Sequence, residues 1–189
     1  MRRRVLTFGL LTALMASGYG VMFTVLDDFR DEYGISGSWL GLIVATGFFA
    51  SFLTQTLVAP FADRGYARRL VYAGLLFNVV GLIGMATSQT TAPLLASRFI
   101  MGLGVGMAYP AIRRIVILSD PTNLGGNLGM MLSADVAGFA AGPALSALLV
   151  GTFGLAAPFL VIAVLIVCCL PVVARVKVVE SETAPASRF

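Results

Sequence analysis

The sequence predicts an all-α, polytopic membrane protein of six transmembrane helices, and three observations carry that reading. First, 58% of the 189 residues are hydrophobic and only 12% charged, with a mean hydropathy of +0.93, more apolar surface than one water-soluble core can hide. Second, the charges stand at the ends of apolar runs, and about 20 helical residues cross a hydrocarbon layer of ~30 Å. Third, the cations fall on alternate turns. One side of such a map receives Arg2, Arg3, Arg4, Arg64, Arg68, Arg69, Arg113, Arg114, Arg175, Lys177 and Arg188, eleven of the 13 Lys and Arg residues, and the other receives Arg30 alone. This positive-inside bias places both termini and the central hinge on the cytoplasmic side of the plasma membrane.

Each span has its own signals. The first runs from Val5 to Leu26, too long for the apolar core of a signal peptide, although the basic start and Ala16-Ser17-Gly18 imitate one. It ends in the acidic group Asp27, Asp28, Asp31 and Glu32. Hydroxyls at Ser36 and Ser38 and an interfacial Trp39 open the second span, Trp39 to Ala62. The hinge Asp63-Arg64-Gly65-Tyr66-Ala67-Arg68-Arg69 leads into the third, Leu70 to Thr87. A polar turn ending in Pro93 starts the fourth, Leu94 to Leu118. The fifth covers Asn127 to Leu149 and the sixth Leu155 to Val173. Residues 1–176 are thus expected to form one bundle, and 177–189 a disordered cytoplasmic tail.

Several function classes drop out. The net charge of +4 lies at span ends and reads as topology, so no nucleic-acid partner is expected. With no histidine, Ser-His proteases and His-ligated metal enzymes are excluded. Cys168 and Cys169 are adjacent in an apolar run and lack metal-ligand spacing. No nucleophile stands with a base at catalytic spacing, so neither enzyme activity nor a cofactor or metal is expected.

Three motifs resemble the major facilitator superfamily, in particular the amino-terminal six-helix half of its drug/proton antiporters. Ala59 to Arg69 is similar to the family loop Gly-x-x-x-Asp-Arg-x-Gly-Arg-Arg, with Ala59 for the first glycine, Gly65-Tyr66 in reversed order and Ala67 for a basic residue. Arg98-Phe99-Ile100-Met101-Gly102-Leu103-Gly104 resembles the fourth-helix pattern Arg-x-x-x-Gly-x-Gly. Gly129, Gly138 and Gly142-Pro143 resemble the fifth-helix antiporter signature, whose closing Gly-Gly is Ser146-Ala147 here. The resemblance implies two inverted three-helix repeats, and a hinge that latches the halves of the transporter, with Asp120 paired to Arg68 or Arg69. It also implies that Arg98 takes part in proton coupling.

The residues carry their own readings beside this. Asp63 at a helix end with Arg64, Arg68 and Arg69 after it makes a charge cluster able to latch another helix terminus; enforcing topology is the alternative. Arg98 sits inside its span, where an unpaired charge costs several kcal/mol, so it faces protein or water, or reaches for the interface with its long stem. Gly102 and Gly106 continue its stripe at helical spacing and admit a close neighbour. Asp135 shares a face with Gly138 and Gly142, which turns it into the bundle as a candidate proton carrier or a structural hydrogen-bonding group. At 1.5 Å per residue, Arg98 and Asp135 differ in depth by roughly 11 Å, which predicts no direct salt bridge. Pro110 and Pro143 break helical hydrogen bonds where a bundle can bend. Thr54, Gln55, Asn78 and Tyr109 are polar candidates for lining a cavity or bonding between helices.

Together these predict proton-coupled transport, in the direction of efflux, of a small organic solute. The expected partners are lipid, protons, the solute, and a second six-helix half or a second copy of the chain. The alternative is a truncated or non-transporting membrane protein acting only as an assembly partner.

Overall fold

The computed structural model describes residues 2–119 and 121–175. Asp120, Lys177, Arg188 and the expected tail from 177 onward lie outside the described residues. Helices α1 (Arg2–Thr24), α2 (Leu26–Tyr33), α3 (Gly37–Phe61), α4 (Ala67–Thr87), α5 (Thr91–Ser119), α6 (Leu124–Phe153) and α7 (Ala156–Arg175) follow one another along the chain. All but α2 are long and apolar enough to cross a membrane.

The helix breaks follow from backbone chemistry. The 51 residues from Gly37 to Thr87 form one apolar stretch, but a kink divides it into two spans. Within Ala62–Tyr66, Arg64 (φ −87°, ψ 15°) and Gly65 (φ 88°) leave helical geometry. Only glycine takes that positive φ without strain, so Gly65 is the residue that turns α3 into α4. Gly34 (φ 66°) stops α2 in the same way, its N–H closing on the Arg30 carbonyl at 2.9 Å.

The first span ends earlier than the sequence predicts. Helical geometry lapses at Val25 (φ −90°, ψ 8°), and the acidic residues after it form α2, a separate two-turn helix. It presents Asp27, Asp28, Asp31 and Glu32 outward and buries Phe29, which stacks near Tyr33 (5.7 Å) and Phe159 of α7 (6.4 Å). Helices α4, α5 and α6 contain the expected spans and extend a few residues beyond them, whereas α3 starts before Trp39 but ends at Phe61, one residue short of Ala62, and α7 starts one residue after Leu155 and runs on to Arg175.

Packing reveals an internal symmetry. α1 lies alongside α6 in the same direction, Gly138 facing Ala13 and Gly142 facing Ser17 and Val21. α5 lies alongside α3 in the same direction, Gly102 facing Ala50 and Gly106 facing Thr54. Between α1 and α5 the pairing runs backwards, since Tyr109 meets Thr12 while Arg98 meets Tyr19. The first helix of each triplet (α1, α3, α4 and α5, α6, α7) therefore packs parallel to the second helix of the other triplet, while the two triplets themselves run in opposite directions. The third helices, α4 and α7, also touch: Arg68 of α4 donates to the Ala174 carbonyl at 3.2 Å. These are the two inverted three-helix repeats.

The outer surface is apolar. Phe49, Phe52 and Leu57 on α3, Leu132 and Leu148 on α6, and Val164 on α7 are all exposed. Water would penalise such a surface heavily, whereas lipid or another apolar helix face covers it at little cost.

Candidate functional site

Three glycine seams, α1–α6, α3–α5 and a third between α4 and α5 where Gly74 faces Ala108 and Gly81 faces Met101, fix where side chains can meet. A Cβ on Gly106 would lie 2.6 Å from the Thr54 Cβ, and one on Gly138 would lie 2.5 Å from the Ala13 Cα. At such approach the helix backbones nearly touch, so larger side chains are displaced to the seam edges. Between α1, α3, α5 and α6 those edges border an open cavity of about 380 Å³, lined among others by Tyr19, Phe48, Gln55, Tyr109, Asp135 and Phe139.

Arg98 lies behind the aromatic wall of this cavity and is fully buried. Its guanidinium carbon sits 3.9 Å from the centre of the Tyr19 ring and 6.0 Å from that of Phe48, and Nη1 donates to the Met101 sulfur at 3.4 Å. Nε and Nη2 have no hydrogen-bond partner. Gly47 opposite is required for the fit, since any Cβ there would strike Arg98 Nε at 2.5 Å. The Tyr19 hydroxyl donates to the Gly47 carbonyl at 3.3 Å, which fixes the ring over the cation. Arg98 thus faces protein rather than reaching for an interface, and it does not pair with Asp135.

Asp135 pairs elsewhere. Its Oδ2 is 3.6 Å from Arg113 Nη2, longer than a well-formed charge-assisted hydrogen bond, and its Oδ1 is buried without a partner. Arg113 also covers the Tyr109 ring at 5.6 Å, and the Tyr109 hydroxyl donates to the Thr12 carbonyl at 3.2 Å. One ion pair therefore links α5 to α6 at the cavity.

The adjacent Arg114 points about 100° away around the helix and reaches a different acid. It hydrogen-bonds the Asp63 carboxylate through Nη1 and the Asp63 carbonyl through Nη2 at 3.3 Å. This clasp ties the α3–α4 hinge to α5. Arg64 lies over Phe61 (5.5 Å) and Arg69 over Tyr66 (5.4 Å), while Arg68 takes the Ala174 carbonyl. Among the described residues these three cations form no ion pair with an acid, and Asp120 lies outside that set.

Of the polar cavity candidates, Gln55 and Tyr109 line it. Thr54 does not: it is buried against Gly106. Asn78 does not either, being fully buried in the α4–α5 seam with both amide atoms unpartnered. Pro143 and Pro110 interrupt α6 and α5 near the cavity. Pro143 leaves the Phe139 carbonyl without its helical donor, and that carbonyl abuts Gly20 of α1. Among the described residues no group of three or more His, Cys, Asp or Glu side chains is placed to hold a metal.

The sequence pattern of the Major Facilitator Superfamily matches residues 7–188. The chain belongs to that superfamily. It is a multi-pass membrane protein of a transporter family, not an enzyme. The quinolone resistance protein NorA of Staphylococcus aureus is 30% identical over 135 residues, covering 69% of this chain and 34% of NorA. The multidrug resistance protein MdtG of Yersinia enterocolitica is 26% identical over 166 residues, covering 82% of this chain and 39% of MdtG. This facilitator chain thus spans little more than a third of the length of these curated relatives. In fold it is similar to the xylose transporter XylE from E. coli in its inward open conformation, with a TM-score of 0.79 at 16% identity over 92% of this chain and 47% of XylE. The bundle is accordingly half of a facilitator fold.

Proposed function

We propose that the chain serves as one half of a proton-coupled transporter that exports a small organic solute across the plasma membrane, with both termini cytoplasmic. The observation that carries this reading is the cavity of about 380 Å³, walled by aromatic rings and bordered by the ion-paired Asp135. Its size and a mainly apolar lining with a few polar groups, among them Gln55 and Asp135, suit a small amphipathic molecule. The drug-resistance names of the matched relatives favour export, and the eleven-to-one distribution of cations supports the orientation.

Asp135 is the proposed proton carrier. Taking a proton would neutralise it and release Arg113, loosening this ion pair between α5 and α6 where Pro110 and Pro143 already weaken each helix. Arg98 would sense that change through the aromatic wall it shares with the cavity. The Asp63–Arg114 clasp would hold one conformation as the latch. A second six-helix unit, from another chain or another copy of this one, would cover the exposed faces of α3 and α6 and close the cavity.

The test is energised efflux of the apolar dye Nile red from cells carrying or lacking the chain. Cells with the chain should hold less dye, and both an uncoupler and Asp135→Asn at equal membrane abundance should abolish the difference. Efflux indifferent to the uncoupler and to Asp135→Asn would refute proton coupling. No efflux at all would favour the assembly-partner role.

A further inference from the structure

A second cavity, of about 430 Å³, opens at the end of the bundle away from the hinge, between the α2–α3 connection and the turn from α4 into α5. It is lined among others by Tyr33, Ser36, Trp39, Gln89, Thr90 and Thr91, and it shares no lining residue with the cavity beside Asp135. Its chemistry differs as well. Among the described residues no Asp, Glu, Lys or Arg lines it, and hydroxyls, an amide and an indole take their place.

These groups are free to bind. Among the described residues none of the six side chains is hydrogen-bonded within the protein, and this includes Ser36 at the N-cap of α3. The wall that carries them is fixed. The Tyr33 ring stacks on Phe29 (5.7 Å), which is buried and lies against Phe159 (6.4 Å), and Ile35 beside it is buried in the core. Trp39 is half exposed, at 47%, and stands near the start of its span, where headgroups meet hydrocarbon.

Electrostatics select among ligands. Helix α2, which supplies Tyr33, also carries Asp27, Asp28, Asp31 and Glu32, and its one cation, Arg30, already engages Asp27 at 3.1 Å and Asp31 at 3.3 Å. A phosphate or carboxylate entering here meets negative charge and no free cation. An ammonium group finds no carboxylate in the lining. A ligand dense in neutral hydroxyls, by contrast, matches the donors and acceptors on offer and can lay a C–H face against the electron-rich face of the indole. The volume lies in the range of small-molecule sites.

We infer that this cavity binds a neutral hexose-type sugar, with Trp39 as the stacking platform and Tyr33, Ser36 and Gln89 as hydrogen-bonding partners. It is a site separate from the proposed solute pathway. Its place at the membrane interface admits two sources of the same chemistry, the headgroup of a glycolipid and a free sugar in water.

Trp39 is the only tryptophan of the chain, so its emission reports this site alone. The purified chain is placed in phosphatidylcholine nanodiscs, with glucosyl diacylglycerol added to the discs in one arm and methyl glucoside to the water in the other. A sugar over the indole displaces water, so the emission should shift to the blue and saturate. Saturation in the lipid arm alone assigns the site to a headgroup, and saturation in the water arm opens it to free sugar; either result supports the inference. Gln89→Ala and Tyr33→Phe leave the indole and the Phe29 stack in place, and each should weaken half-saturation about 5-fold, the loss of one hydrogen bond. No saturable shift in either arm overturns the inference. So does an equal shift with phosphatidylglycerol or phosphatidylethanolamine in place of the glucosyl lipid, or an unchanged half-saturation in both variants.

Discussion

Gly138→Ala adds one carbon where the structure has no room for it. The new Cβ would lie 2.5 Å from the Ala13 Cα and 2.6 Å from its carbonyl carbon, against an ordinary carbon contact of about 3.5–4.0 Å. Both atoms are backbone, so α1 and α6 must part by roughly 1 Å at this point. They cannot simply tilt, because Gly142 one turn on holds the same seam, where a Cβ would meet Ser17 O and Val21 N at 2.5 Å. Overpacking of this kind costs about 1–3 kcal/mol, and for a chain of this size each kcal/mol lowers the melting midpoint by about 2–4 °C. Gly129, on the same helix, has nothing within 4 Å of a built Cβ. Gly129→Ala should therefore be neutral or raise stability by up to about 1 kcal/mol through helix propensity. The assay is thermal unfolding of the purified chain in detergent, followed by circular dichroism. Equal midpoints for Gly138→Ala and Gly129→Ala would refute the α1–α6 seam.

Two further predictions concern charge. Asp63→Asn and Arg114→Gln should each lower the unfolding midpoint only slightly, since a largely exposed pair contributes about 0.2–1 kcal/mol, and the double variant should lose no more than either single one. Full additivity in that cycle would show that the clasp is not a direct interaction. Tyr19→Leu removes the ring face from Arg98 and the hydrogen bond to Gly47, a loss of about 2 kcal/mol or more for a desolvated cation. Tyr19→Phe keeps the ring and should cost about 1 kcal/mol; if the two variants unfold at the same temperature, the cation does not depend on the ring.

The spans were legible because lipid imposes a length and a composition that few other environments demand. The hinge was equally legible: Gly65 amid charge, between apolar runs, turns the chain at the position read from sequence. Helix α2 was not. Leu26–Tyr33 carries four acids and buries only Phe29, too weak a periodic signal to separate a short surface helix from a polar turn. At the site, residue depth correctly kept Arg98 and Asp135 apart, and the Gly102 and Gly138 stripes identified packing faces. The partners stayed hidden because they are distant in sequence: Arg114 meets Asp63 across 51 positions. One signal was available. Adjacent arginines on a helix diverge by about 100°, so Arg113 and Arg114 had to find separate neighbours. The Tyr19–Phe48 clamp carried no such mark, since aromatic residues in an apolar run look like ordinary packing.

The account turns on an aqueous, solute-accessible cavity between α1, α3, α5 and α6. Its most direct test is cysteine accessibility in membranes, starting from a chain with Cys168 and Cys169 replaced by serine. A charged, membrane-impermeant thiosulfonate should modify Val136→Cys and Phe139→Cys on the cavity wall. Val164→Cys, exposed on α7 away from the cavity, should stay unmodified. Equal reactivity at all three positions, or a cavity pair that never reacts, would contradict the account.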